Sequence, residues 1–114
     1  MDEHTKWLMS RGRNLRFRYA GDPDIPVPAL YAFADDEDDS VRMSLAGNSS
    51  LPRELMERLA SDPYWMTRMS LTTNPSAPVE LIRPLVNDPH NIVSWSAAKR
   101  VDEEERRAWR NERW

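Results

Sequence analysis

Few side chains of this sequence could do chemistry, and they are scattered. His4 and His90 are the only histidines, no His-x-x-x-His spacing occurs and no cysteine is present, so a zinc centre lacks ligands. Ser44, Ser70 and Ser96 recur at a fixed interval, yet no histidine stands near them to act as base. Small residues recurring in this way serve close helix approach. The run Asp35, Asp36, Glu37, Asp38, Asp39 is dense enough to attract a cation but lacks the glycine and terminal glutamate of an EF-hand loop. It reads as a solvated turn that caps a helix, with Asp38 in reach of Arg42 one turn on. There is no glycine-rich phosphate loop. Catalytic residues, a metal and a cofactor are therefore not expected, and the chain does not read as an enzyme.

Two other sets of residues suit recognition. Arg16, Arg42 and Arg68 are spaced by 26 and would form a ladder facing an acidic partner. Alternatively, each pairs inside the molecule with Asp36, Asp62 or Asp88, and the ladder then holds the fold together. The second set lies in "DPYWMTRMSLTTNP". At the same 26-residue interval, Tyr64 falls in line with Gly12, Asp38 and His90, and Trp65 with Arg13, Asp39 and Asn91. Polar companions mark a solvent-facing column, so Tyr64, Trp65 and His90 are candidates for a partner-binding edge, since exposed Tyr and Trp are common hot-spot anchors. Packing over a neighbouring helix is the alternative. By the same reasoning Phe17, Met43, Met69 and Trp95 form a core column, and Trp95 is expected to be structural.

These columns exist because the chain is periodic. Residues 15 to 36, 41 to 62 and 67 to 88 align without a gap at intervals of 26, and "VSWSAAKR" from Val93 begins a fourth copy. Each copy predicts two short helices. Asp62-Pro63 and Asp88-Pro89 suit the start of the first helix, which should stop near Gly21, Gly47 or Thr73, where glycine tolerates positive φ. Pro26, Pro52 and Pro78 suit the first turn of the second, whose apolar stripe is exemplified by Leu55, Met56, Leu59 and Ala60. Helices this short are marginal alone, because nucleation is costly and one unit cannot cover its own stripe. Stacked neighbours would supply that cover. Expected boundaries are an N-terminal cap at 1–10, units at 11–36, 37–62 and 63–88, a half unit at 89–100, and a C-terminal capping helix or tail at 101–114. In that tail, "RRAWRNERW", Trp109 and Trp114 could cap the stack or pair with a second copy.

"VRMSLAGNSSLPRELMERLASDP" and "TRMSLTTNPSAPVELIRPLVNDP" resemble the variant leucine-rich repeat, a HEAT-like helical-repeat family. The resemblance spans residues 15 to 100. It implies an all-α, short right-handed α-solenoid of about three and a half two-helix units with polar capping helices at both ends, and mostly non-catalytic roles. Departures from the family's pattern include Thr67 in place of Val and Ser94 in place of Arg. The iron-sulfur cluster of the founding example sits on a cysteine-rich segment, which a chain without cysteine cannot reproduce.

Composition narrows the partners. With 114 residues the chain forms one domain, and 39% apolar with 31% charged residues suits a folded soluble protein. The net charge of −3 argues against a dominant nucleic-acid role, although Arg11, Arg13, Arg16 and Arg18 follow one another without an intervening acid. The expectation is a non-catalytic protein–protein interaction module, with nucleic-acid binding through the arginine patches as the alternative. A monomer or weak homodimer in the cytoplasm, without membrane attachment, is expected from the lack of a long apolar run or signal-like segment. The preference for Arg over Lys accompanies GC-rich genomes such as those of actinobacteria and their phages. An accessory or phage-defence protein is the corresponding expectation.

Overall fold

The computed structural model describes residues 1–113. Among them are eight α-helices and no strand: α1 (Glu3–Met9), α2 (Arg13–Ala20), α3 (Val27–Ala34), α4 (Asp39–Ala46), α5 (Arg53–Leu59), α6 (Trp65–Thr73), α7 (Val79–Ile82) and α8 (Asn91–Arg113). A 3-10 turn at Arg83–Asn87 joins the last two. Helices α2, α4, α6 and α8 open at intervals of 26 residues and pack in chain order, α2 on α4, α4 on α6, α6 on α8. The other helices form a second layer beneath them: α1 lies on α3, α3 on α5, and α7 under α8. The shortest extent of the molecule, 20 Å, fits two such layers at ordinary helix separations of about 10 Å.

Between the layers lies one core. Leu30, Phe33, Leu45, Leu55, Leu59, Leu71, Ile82 and Val93 are at most 1% exposed. Each such side chain contributes about 1.5–3 kcal/mol when fully buried, which is what lets helices of seven to nine residues persist. Residues at the 26-residue interval reach this core together: Leu45, Leu71 and Ala97 are buried, as are Phe33, Leu59 and Leu85.

Local details depart from the sequence expectation in four places. Asp62 does not cap α6. It accepts the amide of Tyr64, and Tyr64 is the N-cap residue. Pro26, Pro52 and Pro78 stand one residue outside their helices as N-caps, where an extended ψ suits the residue before a first turn. Gly21 and Gly47 have φ of −89° and −88°, so their role is not left-handed backbone. A Cβ at Gly21 would sit 2.9 Å from Ser44 Oγ, and one at Gly47 3.3 Å from Ser70 Oγ, so these glycines let one helix approach the next. Finally, α8 runs unbroken from Asn91 to Arg113, so the half unit at 89–100 and the C-terminal segment that follows share one helix. No glycine or asparagine directly follows Arg100, and Asp102 pairs with Arg106 one turn on at 3.1 Å.

Pro84 explains the 3-10 turn. It has no amide hydrogen and its ring crowds the preceding turn, so α7 keeps only four residues where α3 keeps eight.

Candidate interaction surface

The three arginines of the ladder turn inward. Arg16 Nε donates to Asp36 at 2.9 Å, Arg42 Nε to Asp62 at 2.8 Å and Arg68 Nε to Asp88 at 2.7 Å, each spanning from one helix to the turn that follows the next. The Arg side chains are 12–17% exposed and the Asp side chains 3–5%. Arg42 and Arg68 also donate to the main-chain carbonyls of Asp36 and Asp62, at 2.7 Å each, while Arg16 uses the carbonyl of Arg11 at 2.8 Å. The same aspartates accept the amides of Asp38, Tyr64 and His90 at 2.9 Å. Hydrogen bonding to its aspartate raises the pKa of each guanidinium, and the bond from Arg68 holds the Asp88 carboxyl below the usual carboxylate range. The charge of these arginines is taken up within the molecule. The acidic run is likewise internal in part: Asp38 N-caps α4 by accepting the Ser40 amide and pairs with Arg13 at 2.9 Å, whereas Arg42 takes Asp39 instead of the expected Asp38. The Ser40 hydroxyl bonded to Asp38 lowers that carboxyl's pKa.

Tyr64, Trp65 and His90 come together. The Trp65 indole and His90 imidazole stack at 3.9 Å between centroids and 8° between planes, and the Tyr64 ring is tilted against Trp65 at 6.5 Å. Tyr64 and Trp65 are both half-buried, and Trp65 packs against the core. His90 Nδ1 accepts the amide of Ile92 at 3.2 Å and so caps the start of α8. The aromatic edge thus joins the first turn of α6 to the first turn of α8.

Trp95 faces outward. It is 65% exposed, so its expected place in the core is corrected, and Phe17 of the same column is 40% exposed. Met43 and Met69, between them, are half-buried. The four residues occupy the same position on α2, α4, α6 and α8 and form a row across the outer face of that layer. The inner two have a helix on either side, whereas α2 and α8 each lack one flanking helix, which explains the gradient in exposure. Ile92, 49% exposed, widens the row, and Lys99 Nζ lies 5.4 Å from the centre of the Trp95 ring. Between α6 and α8 the row sinks into a groove of about 460 Å³ bounded by Met69, Pro75, Ile92, Trp95 and Lys99. Trp7 is 48% exposed as well, under Arg11 at 4.4 Å and beside Tyr19 at 6.3 Å. Of the C-terminal tryptophans, Trp109 is an exposed residue of α8 and Trp114 lies outside the described residues.

A further ladder had no counterpart among the sequence expectations. Asn48 and Asn74, both at most 1% exposed, donate through Nδ2 to the carbonyls that end the preceding helix: Asn48 to Ala20 and Asp22 at 2.8 and 2.9 Å, Asn74 to Ala46 and Asn48 at 2.9 and 3.0 Å. Arg100 stands 26 residues further on and does the same work, its Nη1 donating to Thr72 and Asn74 at 3.0 and 2.9 Å. The column Asn48, Asn74, Arg100 is legible as three donors, but the asparagines also suit a turn, and that use hides the other.

Among the described residues no group of three or more His, Cys, Asp or Glu could hold a metal ion, and no helix is long and apolar enough to cross a membrane. Two serines of the repeated column make structural bonds: Ser44 Oγ donates to the Phe17 carbonyl and Ser96 Oγ meets Thr72 Oγ1, each at 2.6 Å. No protein-family model matches the chain, and neither the curated proteins nor the solved structures contain a match.

Proposed function

We propose that this chain is a non-catalytic protein–protein interaction module, a short right-handed α-solenoid of the variant leucine-rich repeat or HEAT-like kind. Helix starts at intervals of 26 residues and the chain-order packing of α2, α4, α6 and α8 support the solenoid. The observation that carries the function is the row Phe17, Met43, Met69, Trp95, which leaves two large aromatics in water on one face. Leaving a Trp uncovered forgoes the stabilisation that burying it supplies, and a row of such residues beside a groove matches the anatomy of a hot spot. The partner is another protein that seats apolar side chains along this row. Tyr64, Trp65 and His90 border it at the helix starts, and Arg16, Arg42 and Arg68 hold the helices in register beneath it. Nucleic-acid binding is the lesser reading, because Arg11, Arg13 and Arg16 are engaged with Trp7, Asp38 and Asp36.

The test uses a photo-crosslinking side chain at position 95 and, as control, at Glu57 on the opposite layer. A protein captured from host lysate by the first and not by the second is then purified and its affinity measured. Phe17→Ser with Trp95→Ser should weaken binding by about tenfold or more. Equal capture at both positions, or undiminished binding by the double variant, would refute the proposal.

A further inference from the structure

The inner junctions between neighbouring helices of the outer layer are made of small residues. Gly21 meets Ser44 and Gly47 meets Ser70, where an added Cβ would stand 2.9 and 3.3 Å from the hydroxyls, and at the third junction Thr72 meets Ser96. Asn48, Asn74 and Arg100 then donate across the same junctions to the carbonyls of the helix before. Both flanks left open by this packing keep adhesive features. Leu15 on α2 is 40% exposed, whereas Val41, Thr67 and Val93 at the equivalent positions are fully buried. Ala98 on α8 is exposed, whereas Ala20, Ala46 and Thr72 are at most 1% exposed. A second copy laid head to tail would bring the open flank of α2 against the open flank of α8, an interface that does not close on itself and would propagate.

At those flanks the junction residues change character. Arg18 stands where α4, α6 and α8 carry Ser44, Ser70 and Ser96. Lys99 stands where α2 and α4 are followed by Gly21 and Gly47. Asp22 stands where later copies carry the donors Asn48, Asn74 and, within α8, Arg100, and its carboxylate accepts the amide of Asp24 at 2.9 Å. We propose that Arg18, Asp22 and Lys99 close the two open flanks of this fold against a second copy of the chain. In the register of the inner junctions two long cations, Arg18 and Lys99, would occupy space that elsewhere holds a serine at the first position and Gly21, Gly47 or the shorter Thr73 at the second. Asp22, an acceptor, cannot supply the donor that Asn48 and Asn74 bring to the inner junctions. The carbonyls of α8 near that place are moreover bonded within the helix, which continues past Arg100. Like-charge contact, lost space and mismatched polarity all oppose association there.

Oligomeric mass measured by sedimentation and light scattering, from micromolar to millimolar protein, decides the matter. The wild-type chain should stay at the monomer mass of 13.3 kDa. The triple variant Arg18→Ser, Asp22→Asn, Lys99→Ala should gain mass with concentration, by about twofold or more. Lys99→Glu alone, which converts the repulsive pair to an attractive one, should gain mass at low salt and lose it at high salt. Adding Leu15→Asp to the triple variant should restore the monomer. The proposal is overturned if the wild type itself grows in mass with concentration, if the triple variant and Lys99→Glu both remain monomeric, or if Leu15→Asp leaves the assembly of the triple variant intact. Partner binding along the Phe17 to Trp95 row is read in a separate assay, so either idea can fail without the other.

Discussion

The rings of Trp65 and His90 lie parallel, 3.9 Å apart, and tie the first turn of α6 to the first turn of α8. At the equivalent positions of the other junctions stand Asp39 with Tyr64 and Arg13 with Asp38, the latter an ion pair at 2.9 Å. Its strength is measurable by a double-mutant cycle on Trp65→Ala and His90→Ala. Thermal or denaturant unfolding should give a coupling of about 0.5–1.5 kcal/mol, as for stacked aromatic pairs. Simple additivity of the two single variants would mean that the rings touch without stabilising the junction.

Thr67 is fully buried, and among the described residues its hydroxyl has no hydrogen-bond partner. Its neighbours in register, Val41 and Val93, are also fully buried and carry no such group. Thr67→Val keeps the shape and removes the unsatisfied hydroxyl, so unfolding should become harder by about 1–2 kcal/mol. A lower melting temperature for the variant would show that the hydroxyl is satisfied in solution.

Asn74 serves two carbonyls from a site that is 1% exposed. Replacing it with Ala strands both acceptors and should cost about 2–4 kcal/mol, taking about 1–2 kcal/mol for each. Ser76→Ala, at an exposed site where the hydroxyl donates to the Ser49 carbonyl at 2.9 Å, should cost less than about 1 kcal/mol. Equal losses from the two substitutions would mean that the buried asparagine holds the junction no more firmly than a surface serine does.

Stability should fall in acid partly through Asp88. Its carboxyl, bonded by Arg68, titrates below its unfolded value in the native protein. In that interval the unfolded chain binds the proton and the folded chain does not, so folding is favoured as pH rises. The contribution is fully present above the ordinary carboxylate pKa of about 3.9 and is lost as pH falls through the depressed native value. Melting temperatures of wild type and Asp88→Asn should therefore differ most above that range and converge below it. A gap that stays constant down to the acid transition would show that the ion pair carries no pH dependence.

Much of the fold is open to reading in the sequence because its signals are local or periodic. Helix starts follow the proline and aspartate punctuation to within a residue or two, and the Leu45, Leu71, Ala97 and Phe33, Leu59, Leu85 columns reach the core. The ion pairs of Arg16, Arg42 and Arg68 are within the sequence's reach too, since a constant offset of 20 residues joins each to its aspartate. Trp95 is misplaced by such a reading for one reason. A column predicts the side of a helix on which a residue lies, but not whether a further helix covers that side.

The sequence by itself determined the helical period, the punctuation and the identity of the buried stripes, because these depend on bonds and contacts within one turn or one interval. Only the tertiary structure decided which stripe has a lid. Burial is set by the neighbours a helix meets, and α2 and α8 each meet one fewer in their layer than α4 and α6. Hence the same position that half-hides Met43 and Met69 leaves Phe17 and Trp95 in water, and a histidine far along the chain becomes the partner of Trp65.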